Sequence, residues 1–249
     1  GLAFGAKGSL SSLLSQTRPT LALAVAHRFL GEEMAGTVAL ALKLVDYTSL
    51  AKGVLFRVAL PVLGKLQGEP ERFRRALEGF SLLSTLASGL PLLLLPALGG
   101  LLPLVLRRDW PGLSLFLPAF ALGGLALGFA LPQVAALLAL GRAGAVLRYD
   151  LLHTALLLAL LPLGATSLGP LGYALGNVGS LLAKGILFLP LRSLRLFPHP
   201  LAWGWGASLG LGVLQPVIGG LPLGWAALLA WGVLAFPQTK AALKRFLSL

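Results

Sequence analysis

Five charged side chains stand within the first two apolar runs, away from the ends of those runs: Arg18, Lys43, Asp46, Lys52 and Arg57. If the chain turns near Gly31 to Glu33, Arg18 lies about 13 residues before the turn and Lys43 and Asp46 lie about 10 to 13 after it. At about 1.5 Å per helical residue all three are roughly 15 to 20 Å from the turn, near the middle of a bilayer. A charge at that depth costs several kcal/mol unless it meets a partner, water or a ligand. Helical steps of about 100° gather Lys43, Asp46 and Arg57 within about 60° of one another and turn Lys52 the other way. Two cations, Arg18 and Lys43, around one carboxylate leave positive charge in excess, which predicts a water-filled cavity that accepts an anion. The competing arrangement is a self-satisfied Arg18–Asp46 or Lys43–Asp46 pair that holds the hairpin together. The substrate-binding candidates are therefore Arg18 and Lys43, with Arg57 and Lys52 behind them. Arg57 is also placed to sit at an interface, and Lys52 can snorkel. Asp46 is the candidate proton or cation site for ion coupling.

Other polar residues in apolar surroundings are fewer. Lys184 is either a cavity-lining cation or a snorkelling one. Asp150 and His153, three apart, can share a proton or cap a helix and pair with Arg148. His27 and Arg28 beside Glu32 and Glu33 read as an interface cluster, with acids at a helix start. The segment Gly206-Ala207-Ser208-Leu209-Gly210 matches the nucleophile-elbow pattern, but no acid and no His follow it, so no triad can form. There are no phosphate-cradling glycine loop with its lysine, no metal-ligand spacing and no Cys. The sequence predicts no enzyme activity, no catalytic residue, no metal and no cofactor.

The elements that must position these residues follow from composition. Hydrophobic residues make up 57% of the 249 and charged residues 11%; with 32 Gly the apolar share reaches about 70%, against about 45–50% in soluble domains. Eight apolar runs can be marked, near residues 4–30, 33–67, 80–106, 111–140, 151–165, 169–191, 201–218 and 221–236, with a short basic surface helix at 69–79. Runs of this length predict helices, since membrane-barrel strands are about ten residues long and alternate in polarity. The predicted fold is all-α, a polytopic integral membrane protein of about eight spans.

The net charge of +12 belongs to the connections between spans rather than to a nucleic-acid surface. With Gly1 in the cytoplasm, 12 of the 20 Lys and Arg fall on cytoplasmic connections, 3 on the opposite side and 5 within spans. The positive-inside rule then puts both termini in the cytoplasm. Gly124 and Gly128, Gly172 and Gly176, and Gly206 and Gly210 have the spacing that lets helices approach closely. The chain opens at Gly1 and its one Met is Met34, so the sequence reads as a fragment or processed chain.

The stretch Arg28-Phe29-Leu30-Gly31-Glu32-Glu33-Met34-Ala35-Gly36, continuing through Ala39-Leu40-Ala41, resembles the first hairpin of a lobe in polysaccharide flippases of the multidrug/oligosaccharidyl-lipid/polysaccharide exporter superfamily. Phe56-Arg57-Val58-Ala59-Leu60-Pro61, Lys65-Leu66 and the helix with Arg72, Arg74 and Arg75 are similar to that family's second helix end and cytoplasmic connection. Val38 departs from it, where an aromatic residue is common. The resemblance implies a six-helix lobe at residues 1–192 and two further helices with a basic cytoplasmic tail at 193–249. It also implies a second, amino-terminal lobe of the same chain as partner, with a central cavity worked by alternating access in the inner (cytoplasmic) membrane. The implied substrate is a lipid-linked glycan whose pyrophosphate meets cavity cations, for which Arg18 and Lys43 fit best and Arg57 and Lys52 less well; membrane lipids are the other partner. A peptidoglycan lipid-precursor flippase and a drug or cation antiporter are the nearest alternatives. A non-transporting membrane scaffold for a glycan-assembly complex is the alternative of another class, in which Arg18 and Lys43 face partner helices.

Overall fold

The computed structural model describes residues 2–48, 50–99, 107–194 and 200–218, with a few isolated positions elsewhere. No strand occurs among the described residues, and the fold is all-α. The helices are α1 (Leu2–Leu30), α2 (Glu32–Tyr47), α3 (Leu50–Lys65), α4 (Pro70–Gly99), α5 (Leu113–Ala139) and α6 (Ala143–Ser180). A tighter winding over Leu181–Lys184, the single turn α7 (Gly185–Phe188) and a second tight run to Leu194 continue α6, and α8 covers Pro200–Ile218. Three segments are long and apolar enough to cross a membrane: Pro70–Pro96, Leu113–Ala139 and Ala143–Leu191. The eighth apolar run, at 221–236, and most of the basic tail lie outside the described residues.

Helix α5 is the hub. Most of its residues are buried, and α2, α3, α4, α6 and α8 all pack on it. Its near-continuous apolar sequence is what a helix surrounded by other helices requires. It ends in a Schellman motif: Gly141 takes φ 72°, its N–H bonds Leu138 O at 3.0 Å, and Arg142 N–H bonds Leu137 O at 2.7 Å. Helix α6 starts at once with Ala143. The polar stretch Arg142 to Asp150, which the sequence suggests is a separator, is therefore the first two turns of α6. That shift is what puts Asp150 and His153 on a helix face.

Helix α4 joins the basic surface segment and the third apolar run into one rod antiparallel to α5. Its buried hydroxyls need partners in an apolar setting and find them along the backbone. Ser81, Thr85 and Ser88 each donate to the carbonyl four residues earlier, at 2.5 to 2.8 Å. Ser84 reaches across to Gly128 O at 2.6 Å. Gly128 is the point of closest approach, since a Cβ there would run into the Ser88 hydroxyl.

The fifth and sixth apolar runs form one helical hairpin inside α6. Gly169, at φ 59° and ψ −137°, reverses the chain, and Pro170 starts the returning arm. The arms touch backbone to backbone: a Cβ on Gly164 would strike the Gly172 carbonyl, and one on Gly176 would strike that of Leu160. Close glycine contact of this kind is how helices associate in lipid. The Gly206 and Gly210 pair does not do this, because nothing lies within 4 Å of a Cβ at Gly210.

The second apolar run is broken. Helix α2 ends at Tyr47, Thr48 donates its hydroxyl to Val45 O at 2.6 Å, and α3 starts at Leu50. The two halves follow one another along α5: Met34 lies against Gly112, Lys52 reaches Gly124, and Gln67 donates to Ala139 O. The break thus falls beside the middle of α5. The first hairpin turns at Gly31, φ 89°, with Glu32 and Glu33 in the first turn of α2, as the sequence indicates.

Candidate functional site

The sequence places Arg18 in the middle of the first apolar run, and the structure supplies its partner from α6. Helix α1 runs alongside the first arm of α6, so that Arg18 meets the turn that carries Asp150 and His153. Arg18 is buried, 9% exposed, and its guanidinium faces α6. It forms an ion pair with Asp150 through Nη2 and a hydrogen bond with His153 Nδ1 through Nη1. Its Cζ lies 5.7 Å from the Tyr149 ring centroid. Ser11, two turns earlier on α1, donates its hydroxyl to the other oxygen of Asp150. A buried arginine is tolerated only when most of its donors are matched in this way.

A second cation faces the same cluster. Lys184 follows the returning arm of the α6 hairpin, is 8% exposed, and has its ammonium 3.4 Å from the Tyr149 hydroxyl. No carboxylate stands within ion-pair range of it among the described residues. Tyr149 links the two cations, since its hydroxyl is also 3.3 Å from His153 Nδ1. The Tyr173 hydroxyl donates to Ala22 O at 2.8 Å and ties the returning arm to α1.

These groups line a cavity of about 520 Å³ between α1, α2, α5 and α6. Its two walls differ. One carries Ser11, Ser12, Ser15 and Arg18 from α1, Tyr149, Asp150 and His153 from α6, and Lys184. The other is made by α5 through Leu127, Leu131, Val134 and Leu138. Asp46 lines it from α2 while remaining exposed. Such a chamber can hold a polar, charged group against one wall and a hydrocarbon against the other.

The five residues singled out in the first hairpin separate. Arg18 is in the wall of the cavity and Asp46 borders it. Lys52 is 2% exposed and donates to Gly124 O at 2.8 Å; it and Asp46 flank the break between α2 and α3 and attract one another. Lys43 and Arg57 are exposed on the outside of α2 and α3. Arg18 pairs with Asp150, and the Arg18–Asp46 contact considered from sequence does not form. Arg148, the local partner expected for Asp150, is exposed. The α1 to α6 pairing could have been suspected from Asp150, a carboxylate next to a long apolar run that must find a cation at depth. No local spacing identifies which cation, because the partners are 132 residues apart. Among the described residues no group of three or more acids or imidazoles is placed to hold a metal ion.

Fold and site together define an all-α protein with three helical segments long and apolar enough to cross a membrane and a charged internal cavity. No protein-family model, curated protein or solved structure matches the chain.

Proposed function

We propose that the chain is a lobe of a transporter that moves a lipid-linked oligosaccharide or polysaccharide precursor across the cytoplasmic membrane by alternating access. The observation that carries the reading is the two-walled cavity, in which Arg18 on Asp150 and Lys184 on the Tyr149 hydroxyl make one side while α5 offers leucines on the other. An amphiphile with an anionic linkage between a sugar and a polyprenyl tail has the same polarity. A guanidinium and an ammonium can hold a phosphate group while the tail stays in contact with apolar surface. The break between α2 and α3 adds support, because interrupted helices at mid-depth are a recurrent feature of transporter binding sites. In this reading Lys184 takes the second cationic place beside Arg18, while exposed Lys43 and Arg57 face a neighbouring lobe or lipid headgroups. Both termini face the cytoplasm, by the distribution of Lys and Arg.

The test is a scramblase-type assay. The chain, joined to the amino-terminal lobe that the reading requires, is reconstituted in liposomes with a fluorescent polyprenyl-diphosphate oligosaccharide, and transfer is read as the fraction accessible to a membrane-impermeant quencher. The expected result is transfer by the wild type, slowed at least tenfold by Arg18→Gln and by Lys184→Gln. Transfer at the wild-type rate in both variants would remove the reading.

The direct Arg18–Asp150 pair favours one second reading, a non-transporting membrane scaffold in which that pair only fastens α1 to α6. It predicts no transfer by the wild-type protein under any ion gradient.

A further inference from the structure

The Arg18 guanidinium has two possible anionic partners, and only one of them is built into the protein. Asp150 holds it from α6, with Ser11 on the remaining carboxylate oxygen. The same guanidinium borders the cavity, and so does the ammonium of Lys184, whose described partner is the neutral Tyr149 hydroxyl at 3.4 Å. An oxyanion entering the cavity therefore meets one cation with no acid within ion-pair range among the described residues and a second cation already held by an internal acid. Asp150 and the incoming anion compete for Arg18.

We propose that the Arg18–Asp150 pair is a proton-operated latch on an oxyanion site: a proton taken up by Asp150 releases Arg18, which together with Lys184 then holds the anionic head of an amphiphile. The proposal rests on the transport reading for the nature of the amphiphile, but the latch itself is a binding property. In the step, the carboxylate of Asp150 gains one proton and its ion pair with Arg18 is exchanged for one between Arg18 and the ligand. No covalent bond changes. The charged and titratable groups that face Asp150 are Arg18 from α1, Tyr149 and His153 from its own helix, and Lys184 from the returning arm. Asp46 stands at the edge of the cavity on α2, and Lys52 lies behind it on α3. With three cations and two carboxylates in this set, neutralising one carboxylate gives the site room for a further negative charge.

The sign of the pH dependence follows from the competition. With Asp150 ionised, Arg18 is occupied and anion binding is weak; as pH falls and Asp150 takes a proton, binding tightens and one proton enters with each anion. Because ion-paired carboxylates resist protonation, the proton and the anion assist one another. This is reciprocal coupling between two ligands of one site.

The experiment uses the purified protein in neutral detergent, and two probes whose own charge stays constant over the range: inorganic sulfate and octyl sulfate below its micelle concentration. Binding is measured from about pH 8 to about pH 5, and proton uptake is followed with a dye in weakly buffered solution. The expected result is affinity for octyl sulfate that rises about tenfold as pH falls, with close to one proton taken up per anion. Octyl sulfate should bind more tightly than sulfate, because its tail lies against Leu127 and Leu131; equal affinity would assign the site to free anions and overturn the amphiphile part of the proposal. Asp150→Asn should bind at all pH values as the wild type does at low pH, without proton uptake, and Arg18→Gln should lose about tenfold in affinity at low pH and little at high pH, where Asp150 already holds the guanidinium. His153→Gln should keep the pH dependence. Proton uptake that survives Asp150→Asn, or disappears in His153→Gln, would overturn the latch. If Asp150→Asn fails to fold, Asp150→Glu and the double variant Arg18→Gln with Asp150→Asn decide: the first must keep the linkage and the second must have none. Absence of lipid transfer in liposomes with the linkage intact would remove the transport reading and leave the latch. Transfer with no linkage would do the reverse.

Discussion

The guanidinium of Arg18 on α1 and the carboxylate of Asp150 on α6 form a buried ion pair across 132 residues of sequence, with Ser11 and His153 completing the shell. This contact fastens the first helix of the chain to the helical hairpin and at the same time forms the charged wall of the cavity. It joins stability and binding in one place.

Removing one member of such a pair leaves the other charge buried and uncompensated. Arg18→Gln or Asp150→Asn should each cost about 3–5 kcal/mol, and the double variant less than their sum. The measurement is a double-mutant cycle on unfolding by SDS titration in mixed micelles. Strict additivity would show that the two side chains do not interact.

The hairpin within α6 depends on the absence of side chains at Gly164, Gly172 and Gly176. Gly172→Ala places a methyl against the facing backbone, where no flexible atom can yield. It should lower the yield of folded protein severely, by the overpacking mechanism. Gly210→Ala, made where nothing lies within 4 Å, should be tolerated or slightly stabilising, by about 0.5 kcal/mol, since alanine favours the helix. Size-exclusion profiles of the two variants in detergent compare them directly; equal behaviour would contradict the close packing.

If the cavity binds the substrate, the cation inside it and the exposed cations of α2 and α3 should differ in effect. Lys184→Gln removes a charge-assisted contact of about 1.5–3 kcal/mol and should reduce affinity or transfer by a factor of roughly ten to a hundred. Lys43→Gln and Arg57→Gln alter exposed residues outside the cavity and should leave transfer unchanged within about twofold. The liposome assay separates the two groups, and a large loss in Lys43→Gln with none in Lys184→Gln would reverse the assignment.

The sequence contains no Cys, so single cysteines report sidedness without background. Glu33→Cys and Asp109→Cys, both at exposed positions, should react with a membrane-impermeant maleimide in intact cells. Gln67→Cys, exposed at the other end of the α2–α3 pair, should react only after permeabilisation. Labelling of all three from outside would invalidate the proposed orientation.

Much of this architecture was legible in sequence for a simple reason: an apolar environment suppresses every alternative to the helix that leaves backbone groups unpaired. The fourth run coincides with α5, and Gly31 is the turn because a glycine followed by two glutamates both ends one helix and starts the next. The joins were harder. A basic segment looks like a surface helix whether or not it continues into the next rod, so the pattern at 69–79 does not show that it is the start of α4. Residues 33–67 look continuous because the break after Tyr47 carries no proline or glycine.

Composition and local pattern determined on their own that the chain is helical, that parts of it are apolar enough to cross a membrane, and that Arg18 lies inside an apolar run, where a buried cation needs a counter-charge. The identity of that counter-charge was decided by tertiary structure alone. Asp46 and Asp150 are equally acidic, and one is much nearer in sequence. The tight corner at Gly141 and the reversal at Gly169 bring α6 against α1 and present Asp150, His153 and Lys184 to the guanidinium. Electrostatic attraction depends on distance in space, which a linear sequence records only for residues within one helix.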